Sequence, residues 1–283
     1  MLLRKFIPIT ITIPSIAIGA LAMYLNHVPI VIWSQNIACL VLMSFVSLIM
    51  ITYKFNISRS KYEKFIVPVA LFLLILTFVN PGMESVHRWI SIGTVKLNIA
   101  MIALPIVLIE LWNALKTKGL KYGNVGAFII ILVLLFQPDA SQLTGFAIPM
   151  MIMISRKTNS KVIRLLIISV FSLFIILSWT YLDNLPPVNY VERIVNMVAD
   201  MGFLWLILGV ISLAILPMPF LLFPPKCAEL ISRCIGYYYI IIILSALLGN
   251  FPVPLMGYGV SPIVGFYISL IWYVNSKYNE NAV

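Results

Sequence analysis

About ten apolar runs, each closed by a short polar stretch, leave this chain few ways to fold. A spanning helix takes about 20 apolar residues, and helices inside a bundle can be shorter. The runs fall at about 6–25, 30–52, 65–80, 97–115, 124–136, 142–155, 162–182, 198–223, 233–249 and 260–276. Hydrophobic residues make up 62% of the chain and charged ones 10%. Soluble domains carry about a quarter charged residues. The expectation is an all-α, polytopic membrane protein with about ten transmembrane helices, forming a single domain over 1–283. The opening MLLRKF runs into apolar sequence without a small-residue cleavage site, so the first span is expected to stay in place.

Charge orients the bundle. If the first segment lies inside, only Arg88, Lys96 and Arg193 of the 19 lysines and arginines fall outside. The positive-inside rule then puts both termini in the cytoplasm. The formal net charge of +10 therefore reads as basic cytoplasmic loops, not as a nucleic-acid footprint. Three cysteines and two histidines show no metal-ligand spacing, so no metal is expected. There is no GxGxxG, Walker loop or HExxH.

The expected outer segments hold the chemistry. The stretch from Asp183 to Gly202, DNLPPVNYVERIVNMVADMG, carries Asp183, Glu192 and Asp200, and its two prolines forbid a continuous helix. A polar, proline-broken stretch beside a span must meet water or line a cavity. HRWISIG (87–93) sets Arg88 beside Trp89. This reads either as an interfacial belt with a snorkelling arginine or as a phosphate clamp, since guanidinium forks onto phosphate oxygens. In QPDASQ (137–142), Asp139 reads as a helix cap or a site residue. PVPLMGYGVSP (252–262) reads as a loop over the bundle. Glu110 lies within a span, toward its basic end.

Four of these segments resemble motifs of the SEDS proteins, the RodA and FtsW type of ten-span peptidoglycan polymerase. HRWISIG is similar to that family's RRWI-x-LG. QPD (137–139) matches its QPD. LPPVNYVERIVNMVADMG (185–202) resembles LPE-A-HTDFIFAVIAEELG. PVPLMGYGVS (252–261) resembles PLPFISYGGS at Pro252, Pro254, Tyr258, Gly259 and Ser261. The chain reads as a short, divergent member. The resemblance implies a multi-pass protein of the bacterial plasma membrane, acting in cell-wall synthesis, shape or division. It implies lipid II, a polyprenyl-pyrophosphate-linked disaccharide, as substrate and a class B penicillin-binding protein as partner.

The departures from the family pattern matter equally. Aligned without a gap, the family's catalytic aspartate of HTD falls on Val191, next to Glu192. The paired glutamates before the glycine become Ala199-Asp200, and QPSEL-x-K is reduced to KLNIAMI (96–102). The resemblance thus leaves two main expectations. One is a SEDS-like protein that binds the precursor through a degenerate catalytic loop. The other is an active glycosyltransferase with Glu192 or Asp200 as base, working with no cofactor or with a divalent cation alone. In both, Arg88, Trp89, Gln137, Asp139, Arg193, Tyr258 and Ser261 are the expected binding residues. A transporter of the same lipid is a third expectation.

Overall fold

Polar punctuation starts the helices where the sequence supplies a cap. A computed structural model describes residues 8–53, 63–79, 82, 86–93, 95–181 and 185–279. Its first helices are α1 (Thr12–Leu25), α2 (Ile30–Thr52) and α3 (Glu63–Leu76). A hairpin of β1 (Trp89–Ile92) and β2 (Val95–Asn98) leads into α4 (Ile99–Thr117), α5 (Leu120–Phe136), α6 (Ala140–Lys157) and α7 (Lys161–Thr180). Then come α8 (Ile194–Asp200), α9 (Phe203–Ile215), α10 (Met218–Leu222), α11 (Glu229–Leu248) and α12 (Val260–Asn279). Asn98, Asp139 and Ser160 cap α4, α6 and α7 by accepting the amides of Met101, Gln142 and Ile163.

The expected spans reappear as this helical bundle. Five described helical stretches are long and apolar enough to cross a membrane, and three shorter apolar helices accompany them. The protein is a multi-pass membrane protein. The expected eighth span, 198–223, is the main revision. It is divided into α8, α9 and α10, broken at Gly202 (φ 124°) and around Pro217. Only glycine readily takes the first conformation, and proline removes a helix donor at the second. The antiparallel hairpin, pairing Trp89 with Asn98 and Ile92 with Val95, was not expected within the HRWISIG segment.

Helices α4, α6, α11 and α12 form the centre. α11 packs chiefly on α6, and α12 lies against both α4 and α2. At Gly265 a Cβ would overlap the Met101 carbonyl, so α12 and α4 touch backbone to backbone. The prolines within α4 and α6 (Pro105 and Pro149) are buried among neighbouring helices, which tolerate them, whereas Pro68 of α3 lies on an exposed face. Two polar pairs inside link helices of the bundle. The Tyr238 hydroxyl donates to Gln142 Oε1 (2.6 Å), and the Trp179 indole donates to Thr144 Oγ1 (2.9 Å). By contrast, most of α7 is not buried within the bundle, so its outer face is left to lipid.

Candidate functional site

Three irregular segments meet at one end of the bundle, called here the hairpin end: the β1–β2 hairpin, residues 185–193 and residues 249–259. Two of them fold on each other through backbone. The Val253 amide donates to the Val191 carbonyl (3.2 Å), and the Tyr258 amide donates to the Tyr190 carbonyl (2.8 Å). A Cβ on Gly257 would overlap the Val191 carbonyl oxygen, so only glycine permits this approach. Within 185–193, the Val188 carbonyl accepts the amides of Val191 and Glu192, each at 3.0 Å. Glu192 Oε2 in turn accepts the Val188 amide (2.8 Å), closing the turn on itself.

Helix α2 clamps the other loop. Asn36, fully buried, donates from Nδ2 to the Gly257 carbonyl (2.9 Å) and accepts the Gly259 amide on Oδ1 (3.1 Å). Beside it, Gln35 Oε1 accepts the Tyr258 hydroxyl (2.9 Å). Burial, together with the neighbouring Tyr190 phenol, raises the Tyr258 pKa above its ordinary value, so this hydroxyl, already protonated at neutral pH, keeps its proton further into the alkaline range. Gln35 and Asn36 were missed in the sequence. Their signal is a pair of amide side chains inside an otherwise apolar span.

These segments enclose a cavity of about 230 Å³. Trp89, Lys96 and Asn98 line it from the hairpin side. Pro186, Val188, Tyr190, Val191 and Glu192 line it from one loop, and Pro252, Tyr258 and Ser261 from the other. Two helices also begin at this cavity. Asn98 and Met101 belong to the start of α4, while Gly259, Ser261 and Pro262 belong to the start of α12. The Asn98 amide donates to Ser261 Oγ (2.8 Å), tying the two starts together. Two helix N-termini and the Lys96 ammonium bring positive charge to the cavity, beside the single Glu192 carboxylate on its wall.

The residues expected to form one site are divided among three places. Trp89, Glu192, Tyr258 and Ser261 line the cavity. Arg88, Gln137 and Asp139 instead form a buried cluster behind it. Arg88 Nε lies 3.6 Å from Asp139 Oδ2, and both side chains are about 95% buried. The Arg88 guanidinium also donates to the Pro138 carbonyl and lies over the Phe251 ring, 5.7 Å from its centroid. Gln137 Nε2 donates to the Leu74 carbonyl (2.9 Å) and to Thr77 Oγ1 (2.8 Å), joining α3 to the start of α6. Asp139 Oδ1 caps α6. Arg193 and Asp200 are exposed at the two ends of the short helix α8, outside the cavity lining. Asp183 lies outside the described residues. Lys96, not among the expected site residues, is the cation of the cavity wall. No group of three metal-ligating side chains occurs among the described residues.

No protein-family model and no curated protein sequence matches the chain. Solved structures do. The chain is similar to the rod shape determining protein RodA of Thermus thermophilus, with a TM-score of 0.68 and 16% identity over 95% of this chain and 96% of that one. The chain has the RodA fold. An aspartate-to-alanine mutant of the same RodA gives a TM-score of 0.68 at 15% identity, covering 95% and 97% of the two chains. A chain from a structure on polymerization and crosslinking by a peptidoglycan synthase complex gives 0.68 at 14% identity, covering 96% and 97%. The relationship to RodA that the four motifs imply is thus borne out at the level of the fold. Within this RodA-like bundle, the loop 185–202 and the loop 252–261 meet at the cavity, and Val191 lines its wall.

Proposed function

We propose that this protein serves bacterial cell-wall synthesis by holding a polyprenyl-pyrophosphate-linked precursor at the hairpin-end cavity without polymerising it. The observation that carries the binding half is the convergence of the α4 and α12 N-termini with Lys96 on one cavity. Pyrophosphate matches that field, and Trp89 and Tyr258 offer faces for a sugar. The cavity volume of about 230 Å³ falls below the 300–1,000 Å³ typical of drug-sized ligand pockets. Pyrophosphate fits such a space, whereas donor and acceptor glycans together do not.

Val191 and Glu192 carry the non-catalytic half. A general base needs a carboxylate within reach of the acceptor hydroxyl. Val191 stands at the position that resembles the family's aspartate, and an isopropyl group accepts no proton. The Glu192 carboxylate beside it takes the Val188 amide and braces the loop. One carboxylate next to an amine is also a poor donor set for a hard divalent cation, which takes several oxygens. The proposed activity needs no metal. We place the protein in the bacterial plasma membrane with both termini cytoplasmic, which puts the cavity on the outer face. A class B penicillin-binding protein is the proposed partner.

A second reading rests on one observation: Glu192 lines the same cavity as Lys96 and Ser261. In that reading Glu192 deprotonates the acceptor and the protein polymerises lipid II. Binding to the purified protein tests the shared half. Labelled lipid II should be retained, and Lys96→Ala should weaken retention about tenfold, the value of one charge-assisted contact. Equal retention by the variant and the native chain would remove the cavity from the proposal.

A further inference from the structure

A groove of about 670 Å³ lies at the other end of the bundle, between α6 and α7, and the cavity described above does not use it. That volume sits within the range of ligand-binding pockets. Arg156, in the last turn of α6, and Arg164, in the first turns of α7, stand at the groove. Its wall is largely aliphatic, built by Ile148, Met151, Ile152 and Ile168, and among the described residues no acidic one lines it.

The two arginines differ from their paired counterparts. Arg233 is bonded to Glu229 at 2.7 Å, and Arg88 faces Asp139. Arg164 donates one N–H to the Thr158 carbonyl (2.9 Å), a bond that aims the guanidinium and uses one of its five donors. Arg156 makes no hydrogen bond or ion pair with the described residues. Cations also crowd this end. The ammonium groups of Lys116 and Lys157 share the Trp112 ring, 5.6 Å and 5.4 Å from its centroid. An anion here would relieve like-charge repulsion and fill the guanidinium forks.

The wall decides what the anion is attached to. Ile168 lies on the lipid-facing helix α7, beside exposed Leu165 and Leu166, so the groove opens along the apolar flank of the bundle. A bare phosphate would leave that wall uncovered, whereas an acyl chain covers it. We propose that this groove binds one anionic phospholipid, its phosphate held by Arg156 and Arg164 and its chain laid along Ile148, Ile152 and Ile168. Basic pockets between helices at a membrane surface suit such headgroups.

Native mass spectrometry of the full-length protein in detergent tests this, with phosphatidylglycerol and phosphatidylcholine added in equal amounts. One phosphatidylglycerol should be retained with about fivefold preference, the factor expected when a basic side chain contributes about 1 kcal/mol. Arg156→Ala should lower its occupancy about fivefold, and Arg156→Lys should keep most of it. Arg156 has no bond to lose in the fold, so unchanged thermal unfolding of both variants is the accompanying control. Equal retention of the two lipids, or no effect of Arg156→Ala, would overturn the proposal. So would full displacement of the lipid by inorganic phosphate at the same concentration, which would mark an anion site with no lipid specificity.

Discussion

Tyr190 and Tyr258 are joined twice. The amide of Tyr258 donates to the carbonyl of Tyr190 at 2.8 Å, and their rings meet edge-on with centroids 6.1 Å apart. Through this pair the two loops that carry the motif resemblance form one wall of the cavity. Anything that separates them should open the site.

Gly257→Ala is the sharpest way to separate them. Its new Cβ would overlap the Val191 carbonyl, and backbone cannot move aside as a side-chain tip can. Overpacking of this kind costs about 1–3 kcal/mol. Thermal unfolding in detergent should show the loss, and lipid II retention should fall with it. A variant as stable as the native chain would mean that the loops are not in this contact.

Asn36→Ala removes the clamp from α2 and leaves the buried Gly257 carbonyl and the half-buried Gly259 amide without that partner. Each unsatisfied group costs about 1–3 kcal/mol. Denaturant unfolding should place the variant well below the native chain. Val31→Ala, on the exposed side of the same helix, should change little.

Arg88 and Asp139 should behave as a buried pair. Arg88→Ala alone should destabilise by about 3–5 kcal/mol, because it leaves the Asp139 carboxylate buried without its ion-pair partner. The Arg88→Ala, Asp139→Ala double variant should lose less than the sum of the two single variants. Additive losses in unfolding experiments would deny the coupling.

Alkaline pH reads the Tyr258 hydroxyl. Its folded pKa is raised above the ordinary value of 10.0, first by burial and then by Tyr190. The neutral phenol is therefore favoured by folding. That stability is present in full below about pH 10 and is lost as the pH rises through the folded pKa. The native chain should lose stability over this window more steeply than Tyr258→Phe. Identical alkaline slopes would contradict the assignment.

Residue by residue, the sequence reached depth better than direction. Apolar run lengths located the helices because membrane thickness sets a length that periodicity cannot hide. The break at Gly202 was blurred because hydropathy stays high through Phe203–Ile215, while a left-handed backbone angle leaves no trace in composition. The hairpin escaped notice because WISI and VKLN are four residues each, too short for an alternating pattern to show. Arg88 and Lys96 are both cations near one surface. Which of them turns into the bundle depends on Asp139, far along the chain, and on the pairing of β1 with β2. Asn36 sat unnoticed inside an apolar run because its partners are backbone groups of a loop more than 200 residues away.

Glycan synthesis tests the central claim most directly. Purified protein, alone and with a class B penicillin-binding protein, would be incubated with labelled lipid II and the products resolved on a gel. Val191 at the family's aspartate position and Glu192 bound to the Val188 amide predict retained lipid II and no polymer. A ladder of glycan chains made by the native protein and lost in Glu192→Gln would contradict the account and make Glu192 the base.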